Sequence, residues 1–148
     1  MDEKVLENGK LNEKKLLDLA HEARKRAYTP YSGFQVGAAL VTKQGNVYLG
    51  CNIENASYTP SNCAERTAFF KAVSEGEREF AAIAIVGGTE GTEGKETCSP
   101  CGVCRQVMRE FCVPEEFRIL LEDGQGGIMN YSLAELLPLG FGPENLAR

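Results

Sequence analysis

Three cysteines and one glutamate form the pattern in this sequence with the most specific chemistry. Glu65 follows Cys63 by two positions, and Cys101 and Cys104 lie in a Cys-Gly-Val-Cys motif directly behind a proline. A catalytic zinc ion has three protein ligands and keeps a fourth position open for water. The cysteines can supply those ligands, and the glutamate can accept and return protons beside them. The pattern therefore predicts one Zn²⁺ per chain and a hydrolytic reaction.

Other interpretations of the cysteines remain open at this point. Cys101 and Cys104 could be small buried residues, and Cys98 forms an overlapping C-x-x-C pair with Cys101. A structural site with four cysteine ligands that includes Cys98 would close the open position. Cys98 precedes the predicted helix, whereas Cys101 and Cys104 lie one turn apart at its start, which favours the latter two as ligands. Cys51 and Cys112 are expected in the core.

Glu65 and Arg66 also have structural alternatives. If Asn62 is the N-cap of the next helix, Glu65 falls at the position that completes a capping box. No other obvious base lies near the cysteines in the sequence, which favours catalysis. Three thiolates on Zn²⁺ carry a net charge of −1, and Arg66 could offset it by donating hydrogen bonds to sulfur. The alternative for Arg66 is an exposed surface side chain.

The charge of the chain limits the class of substrate. The 148 residues carry a formal net charge of −5, and they include one histidine. Binding of a nucleic-acid backbone needs clustered lysine and arginine, so no nucleic-acid partner is expected. A small neutral substrate suits this composition better. The single histidine also argues against histidine-rich metal sites and histidine-dependent triads.

The length fits a single domain over residues 1–148. The start of the sequence, MDEKVLENGK, has no apolar core like that of a signal peptide, and no segment is apolar enough to span a membrane. Six cysteines are then expected as reduced thiols in a cytoplasmic protein. No membrane association is expected.

The elements that position the cysteines follow from periodicity and capping residues. A first helix is predicted over Leu11–Tyr28 with Asn12 as its N-cap, and a second helix should run over Cys63–Ser74 with Asn62 as its N-cap. A third helix is predicted with Ser99 as its N-cap and Pro100 as its first helical residue, continuing to about Phe111. Ser132 and Glu135 resemble the capping box of a short last helix.

The strands are predicted from apolar, β-prone runs. Phe34–Thr42 and Asn46–Cys51 form a hairpin, and Phe80–Val86 is a central strand that is covered on both faces. Gly87–Thr97 should be a solvent loop, with further strands at Phe117–Leu121 and Ile128–Tyr131. The order α-β-β-α-β-α-β-β-α predicts an α/β fold with a mixed sheet between helices.

Four sequence blocks resemble the small homotetrameric cytidine deaminases along almost the whole chain. They are PYSGFQVGAAL (30–40), GCNIENASY (50–58), NCAERTA (62–68) and PCGVCRQ (100–106). The resemblance implies a three-layer α/β/α cytidine deaminase fold with a mixed five-stranded sheet. It also implies zinc-dependent hydrolysis of cytidine and deoxycytidine to the uridines, with release of ammonia, in pyrimidine salvage. The segment around Gly87–Thr97 is longer than is usual in this family, which leaves the shape of the site's mouth open.

The resemblance also implies roles for individual residues. Cys63, Cys101 and Cys104 correspond to the zinc ligands, Glu65 to the proton shuttle, and Arg66 to the cation beside the thiolates. The residues expected to bind the nucleoside, some of them in a neighbouring subunit, are Phe34, Asn52, Glu54, Ala56, Tyr58, Ala64 and Phe141. Asn52 and Glu54 lie two apart in an extended segment, so both can face one sugar diol. Alternatively, both merely end a strand.

Two other functions could also use these residues, besides nucleoside deamination. A deaminase with the same core could act on a nucleotide, a nucleoside antibiotic or a polynucleotide. A phosphate group would need basic residues near the sugar, where the sequence instead places the Glu54 carboxylate. A zinc-stabilised interaction module without activity would need neither Glu65 nor an open metal position.

Overall fold

The computed structural model of the chain describes residues 4–146, and its centre is a mixed five-stranded sheet. Two short strands, β1 and β2, precede it. The sheet strands lie in the order β4-β3-β5-β6-β7; β5 and β6 are parallel, and the other neighbouring pairs are antiparallel. Their bounds are β3 Phe34–Thr42, β4 Val47–Cys51, β5 Phe80–Thr89, β6 Arg118–Glu122 and β7 Ile128–Ser132.

Helices cover both faces of this sheet. Helix α1 (Glu13–Arg24) lies on one face, while α2 (Ala64–Ser74) and α3 (Gly102–Phe111) lie on the other. A short helix α4 (Leu133–Leu136) and a 3₁₀ turn (Pro143–Leu146) follow the last strand. The α/β/α arrangement with a mixed five-stranded sheet is confirmed. None of the helices within residues 4–146 has the length and apolar character needed to cross a membrane.

Strand β3 shows how the two faces form separate cores. Successive side chains of a strand point to opposite faces. Ala38 and Leu40 pack with α2 and α3, whereas Ala39 and Val41 pack with α1, and all four are fully buried. Strand β5 is likewise buried on both faces from Ala82 to Val86. Its predicted central place in the sheet is confirmed.

A glycine on β4 allows helix α2 to approach the sheet closely. A methyl group at Gly50 would lie 2.4 Å from the carbonyl oxygen of Ala64 and 2.6 Å from the amide nitrogen of Ala68. Distances below 3.0 Å are not tolerated without a shift of backbone. The first turn of α2, where the candidate site begins, is therefore held directly against β4.

Helix α1 is shorter than its predicted range. Asn12 is its N-cap as predicted, and the Asn12 side chain accepts a hydrogen bond from the Lys15 N–H. The helix ends at Arg24 rather than at Tyr28. Tyr28 is extended instead, because its backbone pairs with Asn52 and Glu54. Pairing of Tyr28 with the segment after β4 is therefore incompatible with a helix that continues as far as Pro30.

The chain also begins with a hairpin that was not predicted. Strand β1 (Leu6–Glu7) pairs with β2 (Lys10–Leu11) across Asn8 and Gly9, both of which have positive φ. An Asn-Gly pair is the strongest short signal for such a two-residue turn. The signal was present, but each strand has only two residues, too few for an alternating pattern.

The segment predicted as a solvent loop is partly strand. Strand β5 continues through Gly87 to Thr89, and Glu96 returns to pair with Gly87. Most of residues 90–97 is exposed, but Gly94 is buried against the Arg24 side chain on the α1 side of the sheet. Within one chain, this part of the loop therefore packs on the opposite face of the sheet from α2 and α3.

Candidate zinc and active site

Two helix N-termini position the cysteines. Cys63 is the N-cap of α2 and Cys101 the N-cap of α3, both in extended conformation and neither with a side-chain capping hydrogen bond. The predicted N-caps, Asn62 and Ser99, and the predicted first helical residue, Pro100, are therefore wrong. Both thiols occupy positions where exposed N–H groups and the helix dipole favour negative charge.

The three predicted ligands form one sulfur cluster. The Sγ atoms of Cys63, Cys101 and Cys104 all lie within 4.8 Å of one another, and those of Cys63 and Cys101 are 3.8 Å apart. Tetrahedral zinc with Zn–S bonds near 2.3 Å requires sulfur separations of about 3.8 Å. The donor set therefore fits zinc. Cys98 is not part of this cluster, so the arrangement offers three sulfur ligands rather than four.

The electrostatics of the cluster favour a thiolate at Cys63. The neighbouring Cys104 thiol, followed by Arg66, lowers the pKa of Cys63 to about 5. Sharing a proton with Cys63 raises the pKa of Cys104 above its usual range, and burial does so further. Burial raises the pKa of Cys98 to about 12, so that side chain stays a neutral thiol. The site thus has thiolate character at the cluster and not at Cys98.

Glu65 is buried directly beside these sulfurs. It is the second residue of α2, only 4 % of its surface is exposed, and burial raises its carboxyl pKa to about 7. Because Cys63 is the N-cap, Glu65 is not at the capping-box position. Asn62 instead donates to the hydroxyl of Thr67. The capping interpretation of Glu65 therefore has no support in the geometry.

Arg66 turns toward the sulfurs rather than toward solvent. Its Nη2 atom donates a hydrogen bond to Cys63 Sγ at 3.3 Å. Burial acts to lower the guanidinium pKa, but hydrogen bonds to the sulfurs of Cys63 and Cys104 outweigh that effect and raise it. The Nε atom of Arg66 is buried, with no hydrogen-bond partner among the described residues. A full positive charge thus lies against the candidate ligands.

A cavity of about 270 Å³ opens in front of the cluster. Its lining includes Cys63, Ala64, Glu65 and Cys101, together with the predicted nucleoside-binding pair Asn52 and Glu54. Larger surface grooves beside the N-terminal hairpin and along α1 contain no cysteine. The volume of 270 Å³ is just below the range of about 300–1,000 Å³ that is typical of small-molecule sites.

Asn52 connects this cavity to the start of β3. Its Oδ1 accepts from the Val36 N–H at 2.9 Å, and its Nδ2 donates to the Phe34 carbonyl oxygen at 2.9 Å. An amide group offers two acceptor and two donor positions. One of each thus remains on Asn52 for a ligand. Asn52 therefore both holds the Phe34 backbone and faces the cavity.

Glu54 lines the same cavity, whereas Phe34 lies next to Cys98 and is not itself among the lining residues. A methyl group at Gly87 would lie 3.0 Å from the Phe34 ring and 2.9 Å from Cys98 Sγ, so the absence of a side chain there lets the two converge. Hydrogen bonds from the Ser32 hydroxyl, and then from the Ser32 and Tyr31 amides, lower the pKa of the Glu54 carboxyl. Glu54 is therefore a carboxylate near neutral pH.

Ala56, Tyr58 and Phe141 are, like Phe34, absent from the lining of this cavity. Ala56 and Tyr58 are exposed, and the Tyr58 ring packs edge-on against Tyr31 at 6.1 Å. Phe141 is 56 % exposed, and its carbonyl oxygen accepts a hydrogen bond from Gln106. One chain alone does not bring these three side chains to the sulfur cluster.

Sequence reasoning missed several residues of the site. Ser99 lines the cavity just before the ligand motif, and Val36 lines it two residues after Phe34. Cys98 also lines it, although the sequence suggested Cys98 only as a possible fourth metal ligand. The period of two along a strand places Val36 on the same face as Phe34, which could have identified it. Ser32 also contacts Glu54, but only the fold reveals this contact, because the two are far apart in sequence.

Comparison with known families gives the same assignment as the geometry. Residues 10–118 match the family model described as the cytidine and deoxycytidylate deaminase zinc-binding region. The chain belongs to this deaminase family. The matched range contains the sulfur cluster, Glu65 and the cavity. Zinc is therefore the metal expected at the cluster.

Individual relatives cover most of the chain. A cytidine deaminase from Sporosarcina psychrophila is 49 % identical over 90 % of this chain and 93 % of its own length. A cytidine deaminase from Halalkalibacterium halodurans is 50 % identical over 88 % of this chain and 95 % of its own length. The crystal structure of cytidine deaminase from Burkholderia pseudomallei has 50 % identity and a TM-score of 0.79, covering 88 % of this chain and all of its own.

Proposed function

We propose that this protein hydrolyses cytidine and deoxycytidine to uridine and deoxyuridine, with release of ammonia, using one zinc ion. The observation that carries the proposal is the cluster of Cys63, Cys101 and Cys104 beside the buried Glu65, at the end of a cavity that also contains Asn52 and Glu54. Relatives at about half identity are named cytidine deaminases. The cavity and the relatives support the same substrate class.

Cys63, Cys101 and Cys104 would hold the zinc ion, which when bound supplies an activated water at neutral pH. Glu65 takes a proton from the attacking water and delivers it to N3 of the pyrimidine as C4 becomes tetrahedral. Glu65 then takes the proton of the new hydroxyl group on C4 and gives it to the 4-amino group, so that the C4–N bond breaks, ammonia leaves and the C4 carbonyl group forms. Its burial supports this role, since the surrounding protein excludes competing water.

The remaining residues in and around the cavity select the nucleoside. Phe34 packs against the pyrimidine and Ala64 lines the space around it, while Asn52 and Glu54 bind the sugar hydroxyls. Asn52 has one N–H that can donate a hydrogen bond to a hydroxyl oxygen, and the Glu54 carboxylate can accept a hydrogen bond from a hydroxyl group. A carboxylate at the sugar end repels a phosphate group, which favours free nucleosides over their monophosphates.

We also propose that the chain works as a homotetramer in which Ala56, Tyr58 and Phe141 reach the site of a neighbouring subunit. Tyr58 is 72 % exposed and Phe141 56 % exposed, and large exposed rings are typical of surfaces that become buried in an interface. The cysteines are free thiols, which suits the reducing cytoplasm, and the proposed reaction would belong to pyrimidine salvage. Light scattering should give four times the 16.1 kDa chain mass.

An absorbance assay on zinc-loaded protein tests the reaction. Cytidine and deoxycytidine should be consumed with one ammonia released per nucleoside, while cytidine and deoxycytidine monophosphates should react poorly. Turnover of the monophosphates alone would contradict the assignment of Glu54. No reaction with any of the four compounds would contradict the function itself.

A further inference from the structure

We propose that Ser32 is a positioning residue for nucleoside binding: its hydroxyl group holds the Glu54 carboxylate in the orientation that receives the sugar. This inference rests on the proposed function, because it concerns the residue that binds the sugar. Ser32 itself lies outside the cavity lining and touches neither the sulfur cluster nor Glu65. Its effect on the substrate would therefore be transmitted through Glu54.

The Glu54 carboxylate is held by three donors from one short segment. The backbone N–H groups of Tyr31 and Ser32 both donate to Oε1, at 3.0 Å and 3.1 Å. The Ser32 hydroxyl donates to Oε2 at 2.5 Å. A carboxylate has about four acceptor positions. The one that remains is on Oε2, so the oxygen available to a sugar hydroxyl is the one that Ser32 orients.

The direction of the Ser32 hydroxyl proton is set by Phe34. The Phe34 N–H donates to Ser32 Oγ at 3.0 Å, which uses an acceptor position of that oxygen. A hydroxyl group can accept and donate at the same time, and it rotates to suit its partners. With the Phe34 N–H on one side, the hydroxyl proton is directed at Glu54 Oε2. No amino acid without a side-chain hydroxyl can make both bonds in this way.

Ser32 therefore links the two ends of the proposed nucleoside site. The Phe34 backbone is held on its N–H side by Ser32 and on its C=O side by Asn52. Gly33, between Ser32 and Phe34, has φ of +68°, which a residue with a side chain rarely adopts. The turn thus brings the base-packing ring and the sugar-binding carboxylate into one hydrogen-bonded unit.

Substitution of Ser32 should weaken binding more than it slows chemistry. Loss of one hydrogen bond to a charged group corresponds to about a tenfold change in an equilibrium constant. Removal of an interaction that is equal in the ground and transition states raises KM and leaves kcat unchanged. Ser32→Ala should therefore raise KM for cytidine about tenfold with kcat within about twofold. Ser32→Thr keeps the hydroxyl and should stay close to the parent.

The decisive experiment is a double-mutant cycle read on two substrates. KM and kcat are measured for the parent, Ser32→Ala, Glu54→Ala and the double variant, with cytidine and with 2′,3′-dideoxycytidine, and thermal unfolding checks that each variant is folded. The tenfold effect of Ser32→Ala should disappear in the Glu54→Ala background and with the substrate that lacks both hydroxyls. Rescue by Ser32→Thr should restore KM.

An equal rise of KM in both backgrounds and with both substrates would overturn the proposal, and so would an unchanged KM for cytidine in Ser32→Ala. If Ser32→Ala does not fold, Ser32→Thr and Ser32→Gly in the same cycle replace it, with the glycine variant expected to show the loss. Failure of the proposed function is a separate result, since the parent protein would then not deaminate cytidine at all.

Discussion

The guanidinium of Arg66 donates a hydrogen bond to Cys63 Sγ at 3.3 Å, so a fixed positive charge lies directly against the sulfur cluster. Three thiolates and one Zn²⁺ sum to a charge of −1, which weakens the metal as a Lewis acid. Groups that hydrogen-bond to metal ligands tune both metal affinity and reactivity. The hydrogen bond between Arg66 and Cys63 gives a physical reason for an arginine, and not a neutral residue, directly after Glu65.

Arg66→Gln is expected to lower zinc affinity and, at equal zinc content, to lower turnover. The amide keeps some hydrogen-bond donors but removes the charge. A loss of about 10- to 100-fold in affinity is typical for residues that support metal ligands. Competition with a chelator measures the affinity, and Arg66→Ala should show the larger loss. If both variants match the parent in affinity and rate, charge compensation by Arg66 is wrong.

Gly50→Ala tests the close contact that holds α2 against β4. The added methyl group meets backbone atoms of Ala64 and Ala68, so α2 must move and carry Cys63 with it. We expect unfolding free energy to fall by at least about 1–3 kcal/mol, as is typical of overpacking. Urea denaturation measures this change. Gly102→Ala is the matched control, because a methyl group there meets open space; equal losses in both variants would refute the contact.

The sequence predicted the sheet, the helix order and the composition of the cluster, but not which residues cap the helices. Asn62 and Ser99 have the side chains that N-caps prefer. The structure instead places Cys63 and Cys101 at these positions, without side-chain capping bonds. The three sulfur atoms must converge on one metal position. That convergence depends on how α2 and α3, which are far apart in the sequence, pack against each other. Local propensity contains no information about it.

Contacts between distant segments explain the other differences. The end of α1 depends on pairing of Tyr28 with residues after β4, and the strand character of Gly87–Thr89 depends on register with Phe34. The hydrogen bonds of Ser32 to Glu54 are of the same kind. By contrast, the Ser132–Glu135 capping box is local, and it was predicted correctly.

Arg24 is a second buried arginine, and its substitution should destabilise the fold. It is 7 % exposed, and its guanidinium donates to the carbonyl oxygens of Gln35, Gly88, Thr89 and Thr92 at 2.9–3.1 Å. Arg24→Ala removes the hydrogen bonds to all four acceptors, of which the Thr89 carbonyl keeps those from Thr92. We expect a loss of about 2–3 kcal/mol in unfolding free energy.

Arg26→Ala is the control for Arg24→Ala in the same denaturation experiment, since Arg26 is exposed. It should change stability by no more than about 0.5 kcal/mol. Hydrogen exchange should also speed up in residues 88–94 for Arg24→Ala only. A stability equal to that of the parent would show that water replaces the guanidinium at no cost.

Removal of zinc should lower the melting temperature, because a ligand that binds only the folded state stabilises it by mass action. Metal analysis should give one zinc per chain, held by the three sulfurs that lie within 4.8 Å of one another. Cys98→Ser should leave this stoichiometry unchanged. Four sulfur ligands by X-ray absorption, or active protein without zinc, would contradict a site with an open position.

The most direct test of the account is the turnover number of Glu65→Gln at the same zinc content as the parent. The amide preserves the shape of the side chain and removes its ability to accept and return a proton. We expect kcat for cytidine to fall by at least about 10²- to 10⁴-fold, with zinc content and melting temperature close to those of the parent. A rate equal to that of the parent would contradict Glu65 as the proton shuttle, and with it the proposed reaction at this site.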